Sequence, residues 1–224
     1  QGGGDGQQAF GIVGPAAAAA QHAQVSAVAV NPNDANEVWT VNRDQGTVAV
    51  VDVVAGQLVD EITVGQKPRS LAFTPDGSKV FVANQRGNVP FDRNFVSPFL
   101  GTEKRGTVSV IDTQTKAVTE LFPVGTEPYG VAVAPNGKFF ALSGFRSATI
   151  KFYDANSLTE LLTHQYPFDL AFIPNGMTLA DVDANRDGVG DLEGPRGFVI
   201  RSDSQRLYVT HHRSPYVSVL DLTL

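Results

Sequence analysis

The residues best equipped for chemistry crowd into one short stretch, Asp181-Val182-Asp183-Ala184-Asn185-Arg186-Asp187-Gly188-Val189-Gly190-Asp191, with Glu193 just beyond it. Oxygen side chains at alternate positions, with a glycine to allow a sharp turn, converge on one hard cation, and Ca²⁺ takes about 6–8 such ligands. Counted from Asp183, the residues Asp183, Asn185, Asp187, Gly188 and Asp191 follow the first, third, fifth, sixth and ninth places of a calcium loop, and Val189 falls among the ligands. The twelfth place is Gly194, with Glu193 adjacent, where a bidentate glutamate would be expected. Asp181, Asp183, Asp187 and Asp191 repel one another unless a cation sits among them. The expectation is structural calcium; the alternative is an unliganded acidic turn.

A second candidate is His211-His212, because imidazole pairs ligate copper, zinc or haem iron. Adjacent residues of an extended chain point to opposite faces, which favours one packed and one solvated ring instead. His22 and His164 are isolated. A third candidate is a contact surface: Phe91, Phe95 and Phe99 lie beside Arg86, Arg93, Lys104 and Arg105, and aromatics with arginine favour interfaces. A loop that tucks its phenylalanines under itself would read the same way. Neither a glycine-flanked serine elbow nor a glycine-rich phosphate loop is present.

Composition narrows the classes. Twenty-three acidic against seventeen basic residues leave a net charge of −6, with no basic stripe for nucleic acid or an anionic membrane. The absence of cysteine removes disulfides, thiolate metal sites and covalent haem. No apolar run of about 18 residues offers a membrane span. Residues 1–25 are Gly- and Ala-rich and read as a flexible lead-in. The chain lacks an initial Met, and a processed, exported protein is expected.

The elements that must position these residues are repeated strands. Thr47 to Asp52, Thr107 to Asp112, Thr149 to Asp154 and Tyr216 to Asp221 are apolar runs closed by aspartate, each a strand ending in a turn that the carboxylate can cap. A second phrase recurs as Ala27 to Pro32, Leu71 to Pro75, Val131 to Pro135 and Leu170 to Pro174, followed in three copies by Asp76-Gly77, Asn136-Gly137 or Asn175-Gly176. Such dipeptides supply the positive φ of a hairpin. Further strands are Val38 to Asn42, Val80 to Asn84 and Leu207 to His211, then Gln57 to Val64 and Val118 to Val124. Four antiparallel strands per unit, repeated, describe the blades of an all-β propeller spanning 26–224. The closing aspartates at 112 and 154 are one period of about 40–45 residues apart; the longer intervals on either side place insertions near 85–105 and 175–206.

These phrases resemble the YVTN β-propeller repeat family, best at Pro128 to Gly137, Leu207 to Thr210 and Thr107 to Asp112. Phe139 to Ser143 blurs the second-strand phrase, and both Phe168 to Gly176 and Gly197 to Asp203 look like a first strand of the fourth unit. The resemblance implies a ring of more than four blades, hence a protein partner or further blades that complete it, and a periplasmic or cell-surface location; the alternative is a compact four-bladed ring closed by residues near Gln24. The expected function is a non-enzymatic binding or assembly module with a structural calcium loop. The alternatives are a lactonase-type hydrolase and a redox subunit with haem or copper on His211 or His212.

Overall fold

The computed structural model describes residues 23–24, 27–86, 105–144, 147–166, 194–211 and 217–222. The chain enters its sheets at β1 (Ala23–Gln24). Sheet I then holds β2 (Val28–Asn31), β3 (Asp34–Asn42), β4 (Thr47–Asp52) and β5 (Gln57–Thr63). Sheet II holds β6 (Gln66–Phe73), β7 (Lys79–Arg86), β8 (Arg105–Asp112) and β9 (Ala117–Thr126). Sheet III holds β10 (Pro128–Val133), β11 (Phe139–Gly144), β12 (Thr149–Asp154) and β13 (Glu160–Gln165). Sheet IV holds β14 (Pro195–Ile200), β15 (Arg206–His211) and β16 (Val217–Asp221), with β1 paired to β14 through Ala23 opposite Ile200. Among the described residues every element is a strand, and none is a helix long and apolar enough to cross a membrane. The all-β propeller fold is thus borne out.

The aspartates do what their position implies. Asp52 Oδ1 accepts the backbone N–H groups of Val54 and Ala55, each at 2.8 Å, and Asp154 Oδ1 those of Asn156 and Ser157 at 2.9 and 2.7 Å. Asp112 Oδ1 takes the Thr115 N–H at 2.7 Å and its hydroxyl at 2.9 Å. The backbone N–H of Thr115 holds the Asp112 carboxyl below its usual range, and that of Ser157 does the same for Asp154. Asp221 differs: it accepts Arg206 Nε at 2.9 Å.

The hairpins after the first strands need one positive φ, not two. Gly77 N–H donates to Thr74 C=O at 2.9 Å around Pro75-Asp76, and only the glycine lies in the left-handed region, at φ 68°. This is a type I turn followed by a left-handed residue. Sheet III repeats it with Gly137. In sheet IV Ser204, at φ 59°, takes the glycine's place and donates to Arg201 C=O. In the fourth unit Gly197 lies in β14, the first strand of sheet IV, while Phe168 to Gly176 lies outside the described residues.

Strand alternation sends successive side chains to opposite faces, so a sheet with neighbours on both sides is apolar on both. Between sheets I and II, Trp39, Val48, Val50 and Ile62 meet Leu71, Val80, Val82 and Ile111. Between II and III, Phe81, Val108 and Val110 meet Val131, Val133 and Phe140. Between III and IV, Ala132, Ile150 and Phe152 meet Phe198, Ile200, Leu207 and Val209. Each valine, leucine, isoleucine or phenylalanine among them, fully buried, contributes about 1.5–3 kcal/mol. The outer faces of the end sheets stay apolar but exposed: Val28, Val30 (53%) and Leu58 on sheet I, and Val217 and Val219 (52%) on sheet IV.

Candidate functional site

The first strands of adjacent sheets lie nearest one another, β6 beside β10 and β10 beside β14, so they form the inner edge of the arc. Each begins with the same device. Pairing with the second strand slips between Pro68 and Ser70, between Pro128 and Val131, and between Pro195 and Gly197. A bulge re-aims the residue it contains, and the residue after each proline is Arg69, Tyr129 or Arg196. These three converge. The Arg69 guanidinium carbon lies 5.0 Å from the centre of the Tyr129 ring, and that of Arg196 lies 5.4 Å from it. Cation–π attraction of this kind contributes about 0.5–2 kcal/mol and fixes the side chains.

A frame of hydrogen bonds holds the cluster. Arg69 donates from Nε and Nη2 to Gln85 Oε1 at 2.9 and 2.7 Å. Ser70 Oγ donates to Tyr129 C=O at 3.0 Å and accepts Val131 N–H at 2.9 Å, tying β6 to β10. Burial, then the like charge of Arg43, lowers the pKa of Arg69; Arg196 acts in the same sense, while Tyr129 and Glu127 oppose. Glu127, directly before Pro128, is buried and held at φ 43°, a backbone conformation that costs a non-glycine residue of order 1–3 kcal/mol. Among the described residues the mouth thus gathers the guanidinium groups of Arg43, Arg69 and Arg196, with Glu127 beside them on strained backbone.

Behind it, the second strand is clasped to the third in sheets I, II and IV. Buried Asn84 donates from Nδ2 to Thr107 Oγ1 at 3.2 Å and Ser109 Oγ at 2.9 Å, and Asn42 Nδ2 donates to Thr47 Oγ1 at 3.2 Å. Gly65 must be glycine, since a Cβ there would lie 2.6 Å from Asn84 Cγ. His211 occupies the matching place in sheet IV, with Nε2 2.8 Å from Ser218 Oγ. Its ring also stands edge-on to Tyr166 at 4.6 Å, and His164 does so from 4.8 Å. Burial pushes the Tyr166 phenol up to about 12, with Ser218 opposing.

The predicted site residues fare unequally. Asp181, Asp183, Asn185, Asp187, Val189, Asp191 and Glu193 lie outside the described residues, as do His212, Phe91, Arg93, Phe95 and Phe99. Arg86 ends β7 opposite Gln66. The Arg69, Tyr129 and Arg196 cluster was missed at the level of sequence. Its signal was the residue after a proline at the head of each first strand, in Pro68-Arg69-Ser70, Pro128-Tyr129-Gly130 and Pro195-Arg196-Gly197.

Among known proteins, antigen Lp49 of Leptospira interrogans serogroup Icterohaemorrhagiae serovar copenhageni is 27% identical over 124 residues, covering 55% of this chain and 26% of that antigen. The chain thus spans about a quarter of that relative's length. Kuenenia stuttgartiensis hydrazine synthase superposes with a TM-score of 0.61 at 20% identity, over 87% of this chain and 45% of that one. The β-propeller domain of Cps50 (Swd1) from Myceliophteria thermophila gives 0.58 at 15% identity, over 88% and 53%. At such identities the likeness is one of fold. The choice-of-anchor I domain matches residues 7–128, more than half of the sequence, and the chain belongs to that family.

Proposed function

We propose that the chain is a non-enzymatic, exported binding or assembly module of the YVTN-like kind, one arc of a ring whose end sheets are covered by further blades. The observation that carries this reading is the mouth itself: Arg69, Tyr129, Arg196 and Gln85 are groups that hold a ligand and do not attack one. Membership of an anchor-domain family and the antigen relative support display outside the cytoplasm. Structural calcium in the loop from Asp181 to Glu193 is part of the proposal and rests on ligand pattern alone. Calorimetric titration of Ca²⁺ should give binding heat that an Asp183→Ala/Asp187→Ala variant abolishes; no heat in the native chain rejects the calcium.

A lactonase-type hydrolase has one observation in its favour. A serine and a histidine 2.8 Å apart, Ser218 and His211, have the geometry of a nucleophile and its base. Against this, Asn84 makes the same clasp to Ser109 in sheet II, and an amide cannot serve as a base. Incubation with a panel of lactones and activated esters decides: the binding reading expects no turnover above buffer, and turnover that disappears in Ser218→Ala overturns it.

A further inference from the structure

The cluster at the mouth is better organised than a generic surface. Its two guanidinium groups come from sheets II and IV and both reach Tyr129 of sheet III. Arg69 already gives Nε and Nη2 to Gln85, a neutral acceptor, so those bonds orient the fork and leave its charge in place. Arg43 adds a third positive charge within reach of Arg69. Among the described residues, Asp44, 3.6 Å from Arg43, and buried Glu127 are opposing charges. In a chain of net charge −6, a mouth biased this way focuses potential for an anion.

Resting on the reading as a binding module, we infer that the mouth receives an extended acidic peptide, whose carboxylates two residues apart are taken by Arg69 and Arg196 beside Tyr129. Guanidinium forks match carboxylates in shape as well as charge. In an extended chain, side chains two residues apart share a face about 6.8 Å apart, a spacing that suits two groups gathered round one ring. The inner edge also accepts extended chain: β1 lies along β14 there, with Gln24 opposite Val199. Stacking and the Gln85 bonds fix the side chains beforehand, which lowers the entropy cost of binding.

The test is fluorescence anisotropy of the full chain with a labelled peptide of alternating Asp and Ser. Saturable binding should weaken at least about tenfold in Arg69→Gln and again in Arg196→Gln, and should fall as salt rises. Arg69→Lys should fall between, because it keeps the charge and loses the fork. Lys138→Gln, exposed at the hairpin end of sheet III, should leave affinity unchanged. Circular dichroism confirms that each variant is folded. The inference is overturned if the peptide does not bind, if folded arginine variants bind it as the native chain does, or if an oligogalacturonate binds about tenfold more tightly. Lactone turnover lost in Ser218→Ala would instead bring down the binding-module reading.

Discussion

His211 and Ser218 form in sheet IV the link that Asn84 and Ser109 form in sheet II: a ring nitrogen 2.8 Å from a hydroxyl in one, an amide nitrogen 2.9 Å from a hydroxyl in the other. The histidine is therefore expected to act as a strand clasp. His211→Asn should keep stability within about 0.5 kcal/mol, whereas His211→Ala should lose about 1 kcal/mol by stripping Ser218 of its partner. Urea unfolding of the two variants measures the difference, and equal losses would reject the clasp.

Phe140 is the aromatic hub between sheets II and III. It stacks on Phe81 at 4.4 Å and on Tyr153 at 5.2 Å, and meets Phe122 edge-on at 6.5 Å. Phe140→Ala should cost about 3–5 kcal/mol through lost contact and the cavity left behind. Thermal unfolding is the measurement, with Phe140→Leu as the milder comparison.

Two glycines separate strain from crowding. Gly56, at φ 63°, has nothing within 4 Å of a Cβ, so Gly56→Ala should cost only the left-handed backbone, about 1 kcal/mol. Gly77, at φ 68°, would also drive its Cβ into Asn33 and Pro32 of sheet I. Gly77→Ala should cost at least about 1 kcal/mol more, and equal midpoints in urea would refute the close approach of the two hairpins.

Glu37 carries a pH dependence. Burial favours its neutral form, but the hydrogen bonds from Lys116, Trp39 and Asn31 outweigh it and hold the carboxyl below its usual range. The Lys116 ammonium, 2.7 Å away, reaches across from sheet II. A depressed folded-state pKa stabilises above the unfolded value, about 4.3, and that stability is lost as pH falls through the folded value. Melting temperature should therefore fall less for Glu37→Gln than for the native chain between about pH 5 and pH 2. Parallel curves would show that the pair contributes nothing.

The end faces give opposite outcomes for the same substitution. Val30→Lys, on an exposed face, should change the stability of this chain by no more than about 0.5 kcal/mol and reduce self-association in sedimentation. Val50→Lys, fully buried against sheet II, should prevent folding. A large loss from Val30→Lys would mean that its face is already covered.

The repeated phrases made the blades legible, since alternation and aspartate-closed turns are local signals. The left-handed Ser204 hairpin was not, because serine marks no turn that demands positive φ. Ala23–Gln24, placed in the lead-in by composition, became β1 through pairing with Ile200 and Val199 at the far end of the sequence, which no local pattern encodes. The mouth was hidden for a related reason. Arg69, Tyr129 and Arg196 are far apart in sequence, and only the bulges bring them to one place.

Strand β10 sits between two cores, giving Val131 and Val133 to one side and Ala132 and Ala134, with the chain just after it, to the other. Loss or gain of a single residue there would exchange the contents of both cores at once, setting alanines where valines meet Phe81 and valines where alanines meet Phe198. Such a strand tolerates neither change in length, so variation among related chains should collect in the turns and spare the strands that have a sheet on each side.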